Sequence, residues 1–130
     1  MNRPEPENRD LFAIADLAQE FGISTRAIRF YESKGLLNPE RVGSTRVFRR
    51  RDRARLILIL RGKRLGFSLR DISDYLSLYD AQSQTAQVKM LIAKVDERLG
   101  LLEAQKNDLE TTITELREIR KLADQQMVHS

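Results

Sequence analysis

Cysteine is absent from the 130 residues, and histidine occurs once, at His129. Without a thiol the chain can form no disulfide, no thiolate nucleophile and no cysteine-based metal site, which fits a reducing cytoplasm. A lone histidine also leaves covalent catalysis without a base beside a nucleophile. The carboxylates Asp96, Glu97 and Glu103 sit among lysines and arginines at helical spacings, where a solvated helix flank explains them. The sequence therefore reads as no enzyme, with no cofactor and no metal. Long apolar runs are missing as well. The longest, Leu56 to Leu60, has five residues, far short of a membrane span. Residues 1–10 are polar with two prolines and read as a disordered arm rather than a signal peptide.

What is plentiful is charge, unevenly spread. The net charge is only +4, yet Arg41 to Arg64 holds ten Lys and Arg against one acid, Asp52. A solvated surface normally mixes signs, so a one-signed block is the electrostatic footprint of a polyanion partner.

The stretch before that block supplies a shape. Ile14, Leu17, Ala18 and Phe21 recur at i, i+3, i+4, i+7, one face of a short amphipathic helix that Gly22 stops. Ser24 is a candidate N-cap for a second helix, in which Ala27, Ile28 and Tyr31 face back toward the first. Thr25, Arg26, Arg29 and Ser33 fall on the other side. Two helices joined by a glycine turn, with arginines outward on the second, form a helix-turn-helix sized for the major groove. Arg pairs with guanine N7 and O6, and Thr with a thymine methyl or a phosphate.

Gly35 and Pro39 end the second helix. Arg41 to Phe48 then places β-favouring residues on both sides of Gly43-Ser44, which predicts a hairpin bearing Arg46, with Arg41 and Arg49 nearby. Such a wing lays arginines on phosphates or in the adjoining minor groove. Arg49, Arg50, Arg51 and Arg53 open a third helix against its dipole, at roughly 0.3 to 1 kcal/mol each, so phosphate contact is expected of them. Leu56 to Leu60 reads as helix rather than buried strand because helix formers extend it on both sides. Gly66 closes it. Ser68 to Asp71 approximates a capping box for a fourth helix with Leu69, Ile72, Leu76 and Tyr79 on one face.

From Gln84 to about Ala123 there is no proline, and apolar residues step by four and three: Val88, Ile92, Val95, Leu99, Leu102, then Leu109, Ile113 and Leu116. Lys106 and Arg120 interrupt this seam. A helix of about forty residues spans about 60 Å, more than a small domain can cover, and a heptad seam of that length wants a partner helix. A second copy of the chain is the simplest partner; the seam alone leaves the direction of pairing open.

The whole is thus expected to be mainly α. Residues 11–80 form a winged helix-turn-helix head of four helices plus a small β-hairpin, 81–124 a dimerising coiled-coil helix, and 125–130 a frayed tail.

Thr25-Arg26-Ala27-Ile28-Arg29-Phe30-Tyr31-Glu32, Gly35-Leu36-Leu37, Arg46-Val47-Phe48 and Leu65-Gly66-Phe67-Ser68-Leu69 together resemble the MerR family of bacterial transcriptional regulators. Leu58 to Arg64 with Leu78-Tyr79-Asp80 resembles its LiuR-like subgroup, regulators of leucine and isovalerate degradation. The resemblance implies a cytoplasmic, nucleoid-associated homodimer, its heads spaced by an antiparallel coiled coil. Such a dimer distorts a near-palindromic promoter so that RNA polymerase reads both of its hexamers. It implies DNA contacts from Arg26, Arg29 and Tyr31 in the recognition helix and from Arg46 in the wing. Ser24, Thr25, Arg41, Arg49, Arg50 and Lys63 complete the expected interface. Two departures from the family pattern stand in the wing, Thr45 where an aromatic residue is common and Arg49 to Arg51 where small capping or acidic residues are. Tyr75 and Tyr79, with the start of the coiled coil, are the expected place for a small effector such as an acyl-CoA or branched-chain metabolite. Two other functions compete: a sequence-tolerant architectural DNA-binding protein, and a coiled-coil adaptor whose basic head docks on an acidic protein.

Overall fold

A computed structural model describes residues 10–80 and 84–129. The chain divides into two units, Met1–Gln84 and Thr85–Ser130. The expected arm falls outside the described residues apart from Asp10.

In the first unit the order is β1 (Leu11–Phe12), α1 (Ile14–Phe21), α2 (Thr25–Ser33), β2 (Glu40–Val42), β3 (Thr45–Arg49), α3 (Arg50–Arg64) and α4 (Leu69–Ser77). The helix boundaries follow local chemistry. Gly22 takes φ +64° and closes α1, a left-handed conformation that costs glycine nothing. Two residues later the Ser24 hydroxyl accepts from Ala27 N at 3.0 Å and starts α2. Ser68 and Asp71 form the expected capping box of α4, each side chain accepting from the other's backbone N–H, at 3.1 and 3.2 Å.

The hairpin β2–β3 turns through Gly43 and Ser44. With φ +65° at Gly43 and no positive φ at Ser44, it is a two-residue turn of the II′ kind, whose twist suits paired strands. Arg41 lies opposite Arg46 and Glu40 opposite Val47. On its other edge β3 pairs with β1, Phe12 opposite Phe48, giving an antiparallel sheet of order β1-β3-β2. Periodicity does not reveal β1, because a two-residue strand has no period.

The core gathers Phe12, Leu17, Ile28, Tyr31, Leu36, Leu37, Phe48, Leu56, Ile59, Ile72 and Leu76. Every helix of the head and the wing contributes, so the head buries its own apolar surface. Ile14, Ala18 and Phe21 pack against this cluster as the α1 spacing predicts. The predicted α4 face narrows: Ile72 and Leu76 are buried, whereas Leu69 is exposed and Tyr79 lies beyond the helix end with 64% of its surface free. Gly62 lets α3 and α4 touch, since a Cβ there would stand 2.9 Å from Ile72 Cγ1. Leu56 to Leu60 is helical, as its flanks predict.

The second unit is one helix, α5 (Thr85–His129), of 45 residues and thus about 67 Å long. It stays helical to His129, where the sequence leads one to expect fraying from 125. Only Leu91 is buried in it, and Ile92, Leu99, Leu102, Leu109, Ile113 and Leu116 are exposed. Among the described residues no helix is long and apolar enough to cross a membrane.

Candidate nucleic-acid interface

The ten residues expected to meet DNA separate by the partners they already have. Arg26 and Arg29 are exposed on α2, and among the described residues neither has an ion-pair or hydrogen-bond partner. Thr25 is half-buried at the helix start, and the Ser24 hydroxyl is engaged in capping. Tyr31 requires a correction. It is only 2% exposed and belongs to the core, so its ring supports the recognition helix from behind instead of facing a groove. The same 3.6-residue spacing that puts Arg29 outside puts Tyr31 inside. Lys63 is exposed, its Nζ 5.8 Å from the centre of the Tyr31 ring.

In the wing the arginines are engaged. Arg46 Nε donates to Glu32 Oε2 at 2.6 Å and Arg41 Nη2 to Glu32 Oε1 at 3.3 Å. Arg49 donates from Nε and Nη2 to the two oxygens of Glu40, at 3.2 and 2.9 Å. The fork matches a carboxylate with two parallel bonds. That hydrogen bond first, and the opposite charge of the partner second, hold Glu40 below its ordinary carboxylate value and raise Arg49 above its own. Arg50 stands 3.7 Å from Asp10.

The arginines in the first half of α3 are held too. Arg53 pairs with Glu20 of α1, Nε to Oε2 at 2.9 Å. Arg55 Nε donates to Leu36 O at 3.0 Å, and Arg51 and Arg55 both approach Asp80, at 3.5 and 3.4 Å. These internal partners supply much of the reason for cations that oppose the helix dipole, for which phosphate contact alone is expected from sequence. Asp52, the one acid of the block, is buried. Its Oδ2 accepts from Arg49 N at 2.9 Å and its Oδ1 from Asn38 N at 3.3 Å, which caps α3 and pins the loop after α2 to it. Only the favoured sign of Asp52 at a helix start hints at this role; the partner 14 residues away has no local signal.

Sequence reasoning also missed Glu32, since an acid on a recognition helix looks like a flaw there. Phe30, beside it, is an exposed aromatic with Lys34 Nζ 5.6 Å from its ring centre. At the expected effector position Tyr75 and Tyr79 stack with ring centres 5.8 Å apart and planes 19° apart. Arg61 Nη1 donates to the Tyr75 hydroxyl at 3.2 Å. The neighbouring Tyr75 phenol raises the Tyr79 phenol above its ordinary value. Among the described residues no group of three His, Cys, Asp or Glu could hold a metal ion.

Two short helices, a pair of exposed arginines on the second that are unpartnered among the described residues, and a wing docked beside them define a winged helix-turn-helix. Comparison with known proteins narrows the class. Residues 12–78 match the family model described as MerR HTH family regulatory protein, and residues 53–119 match the one described as MerR, DNA binding. The chain belongs to the MerR family and is a DNA-binding transcriptional regulator.

Among its relatives, the HTH-type transcriptional regulator CueR of Escherichia coli O6:H1 is 29% identical over 103 residues, 74% of this chain and 76% of CueR. An uncharacterised HTH-type transcriptional regulator of Pseudomonas aeruginosa is 32% identical over 106 residues, 79% of this chain and 80% of that one. In fold the chain is similar to a Listeria monocytogenes protein of known structure, with a TM-score of 0.69 at 21% identity, over 92% of this chain and 99% of that chain.

Proposed function

We propose that the chain acts as a homodimer on promoter DNA, each head placing α2 in a major groove and its wing on the flanking backbone. The observation that carries this reading is the division among the cations. Arg26 and Arg29 project from α2 with nothing in the described chain to satisfy them, whereas Arg41, Arg46 and Arg49 of the wing and Arg51, Arg53 and Arg55 in the first half of α3 are paired with carboxylates. Unpaired guanidiniums on a helix of groove-fitting size are satisfied by guanine edges and phosphates. Ser24, Thr25, Arg41, Arg49, Arg50 and Lys63 line the backbone contacts around them, and Arg46 supports the wing from within through Glu32.

Dimerisation runs through Val88, Ile92, Val95, Leu99, Leu102, Leu109, Ile113 and Leu116. The charges on α5 favour antiparallel pairing. Side by side in parallel, Lys106 would meet Lys106 and Arg120 would meet Arg120 inside the seam. Reversed about its midpoint near 107 and 108, the helix sets Lys106 against the partner's Leu109 and Arg120 against the partner's Val95. The flanks then bring Asp96 to the partner's Arg117 and Lys89 to the partner's Asp124.

By family resemblance, regulation follows from deforming the promoter for RNA polymerase, a step that phosphate contacts on both flanks stabilise. The subgroup resemblance adds control of branched-chain amino-acid and acyl-CoA catabolic genes in the cytoplasm, with the Tyr75–Tyr79 plate as the effector contact. Metal sensing through thiolates is outside this proposal, since the chain has no cysteine.

The test is binding to a duplex carrying the chain's own promoter against a random duplex of equal length, across salt concentration. A preference of about 10³-fold or more supports a specific reader. Equal affinities would overturn it in favour of an architectural protein, and no duplex binding at all would favour the adaptor. In a specific reader Arg29→Ala costs about 1 to 3 kcal/mol and relaxes one base position.

A further inference from the structure

Glu32 stands in the last turn of α2, at the negative end of the helix dipole and on the helix assigned to polyanionic DNA. Arg41 and Arg46 are direct cross-strand neighbours, a like-charge pair that by itself drives a hairpin apart. Each placement is unfavourable alone, and one contact resolves both. The two oxygens of Glu32 take one arginine each, so a single carboxylate screens the arginine pair and ties β2 and β3 to α2.

The contact is graded. Arg46 is on the same face of β3 as the buried Phe48, and its side chain and that of Glu32 are 25% and 20% exposed. Its bond is the short one, at 2.6 Å. The Arg41 side chain is 49% exposed and its bond is 3.3 Å.

We propose that Glu32 is a positioning residue that sets the wing against the recognition helix, with Arg46 as the fixed anchor and Arg41 as the arm that exchanges the carboxylate for a phosphate. This deepens the DNA-binding reading above and rests on it. Its consequence runs against simple charge counting. Removing an acid from a DNA-facing surface should strengthen binding to any duplex, but here it unlatches the wing and weakens binding to the correct one.

The full-length chain is compared with Glu32→Gln and with the double variant Glu32→Gln/Arg41→Gln. In the free protein, hydrogen exchange of the β2–β3 amides should speed up about 10-fold in the single variant, while the core amides of α1 and α3 keep their protection. The double variant, which removes the repulsion as well, should return to within about 3-fold of the parent. On DNA, the single variant should lose about 10-fold on its own promoter duplex and none on random duplex. Unchanged hairpin exchange in Glu32→Gln, or equal gains on both duplexes, would overturn the proposal. Because the exchange measurement needs no DNA, a failure of the DNA-binding reading and a failure of the latch are told apart.

Discussion

The head and α5 handle apolar surface in opposite ways. The head's large side chains converge on one cluster from four helices and a sheet, and among the described residues no buried side-chain polar atom lacks a partner. α5 leaves its Leu and Ile side chains in water along most of its 45 residues. A single exposed Leu on a protein surface means little, but a heptad row of them is a surface awaiting another helix. The head buries its own apolar surface within one chain, and the long helix does not.

Four measurements test that contrast, from the largest expected effect to the smallest. Ile113→Asp puts a charge in the seam, and the proposed dimer should dissociate with its constant raised about 100-fold or more, seen by sedimentation. The head's own amide protection should survive. Conversely, Leu56→Ala hollows the head at a fully buried position and should cost about 2 to 5 kcal/mol of its stability by denaturant titration, while self-association persists. If either variant damages both units alike, the two are not independent.

Asp52→Ala removes the acceptor of Arg49 N and Asn38 N and should cost about 1 to 3 kcal/mol, again confined to the head. The smallest effect is one of pH. Glu40 titrates below its ordinary 4.5 in the folded head because Arg49 holds it. The pair's contribution is therefore present above that ordinary value and lost as pH falls through the lowered one. Amide exchange in β2–β3 should rise only below about pH 4.5, and added salt should shrink the change because the pair is solvent-exposed.

Much of this architecture is legible in the residues themselves. Capping serines, terminating glycines, the Gly43-Ser44 turn and the apolar spacings of α1 and α5 are local signals, readable within a few positions of where they act. The Tyr31 assignment failed for a related reason. A family motif names neighbours in sequence, and on a helix neighbours face different ways.

The sequence by itself determined the order of the helices and the wing, the groove-sized helix pair and the long apolar seam, because periodicity and turn chemistry are short-range. Only the tertiary structure decided which arginines are free. Glu32 with Arg46, Glu20 with Arg53, and Asp80 with Arg55 lie 14 to 33 residues apart. An ion pair has no period along the chain, so it becomes visible only once the fold brings its two ends together.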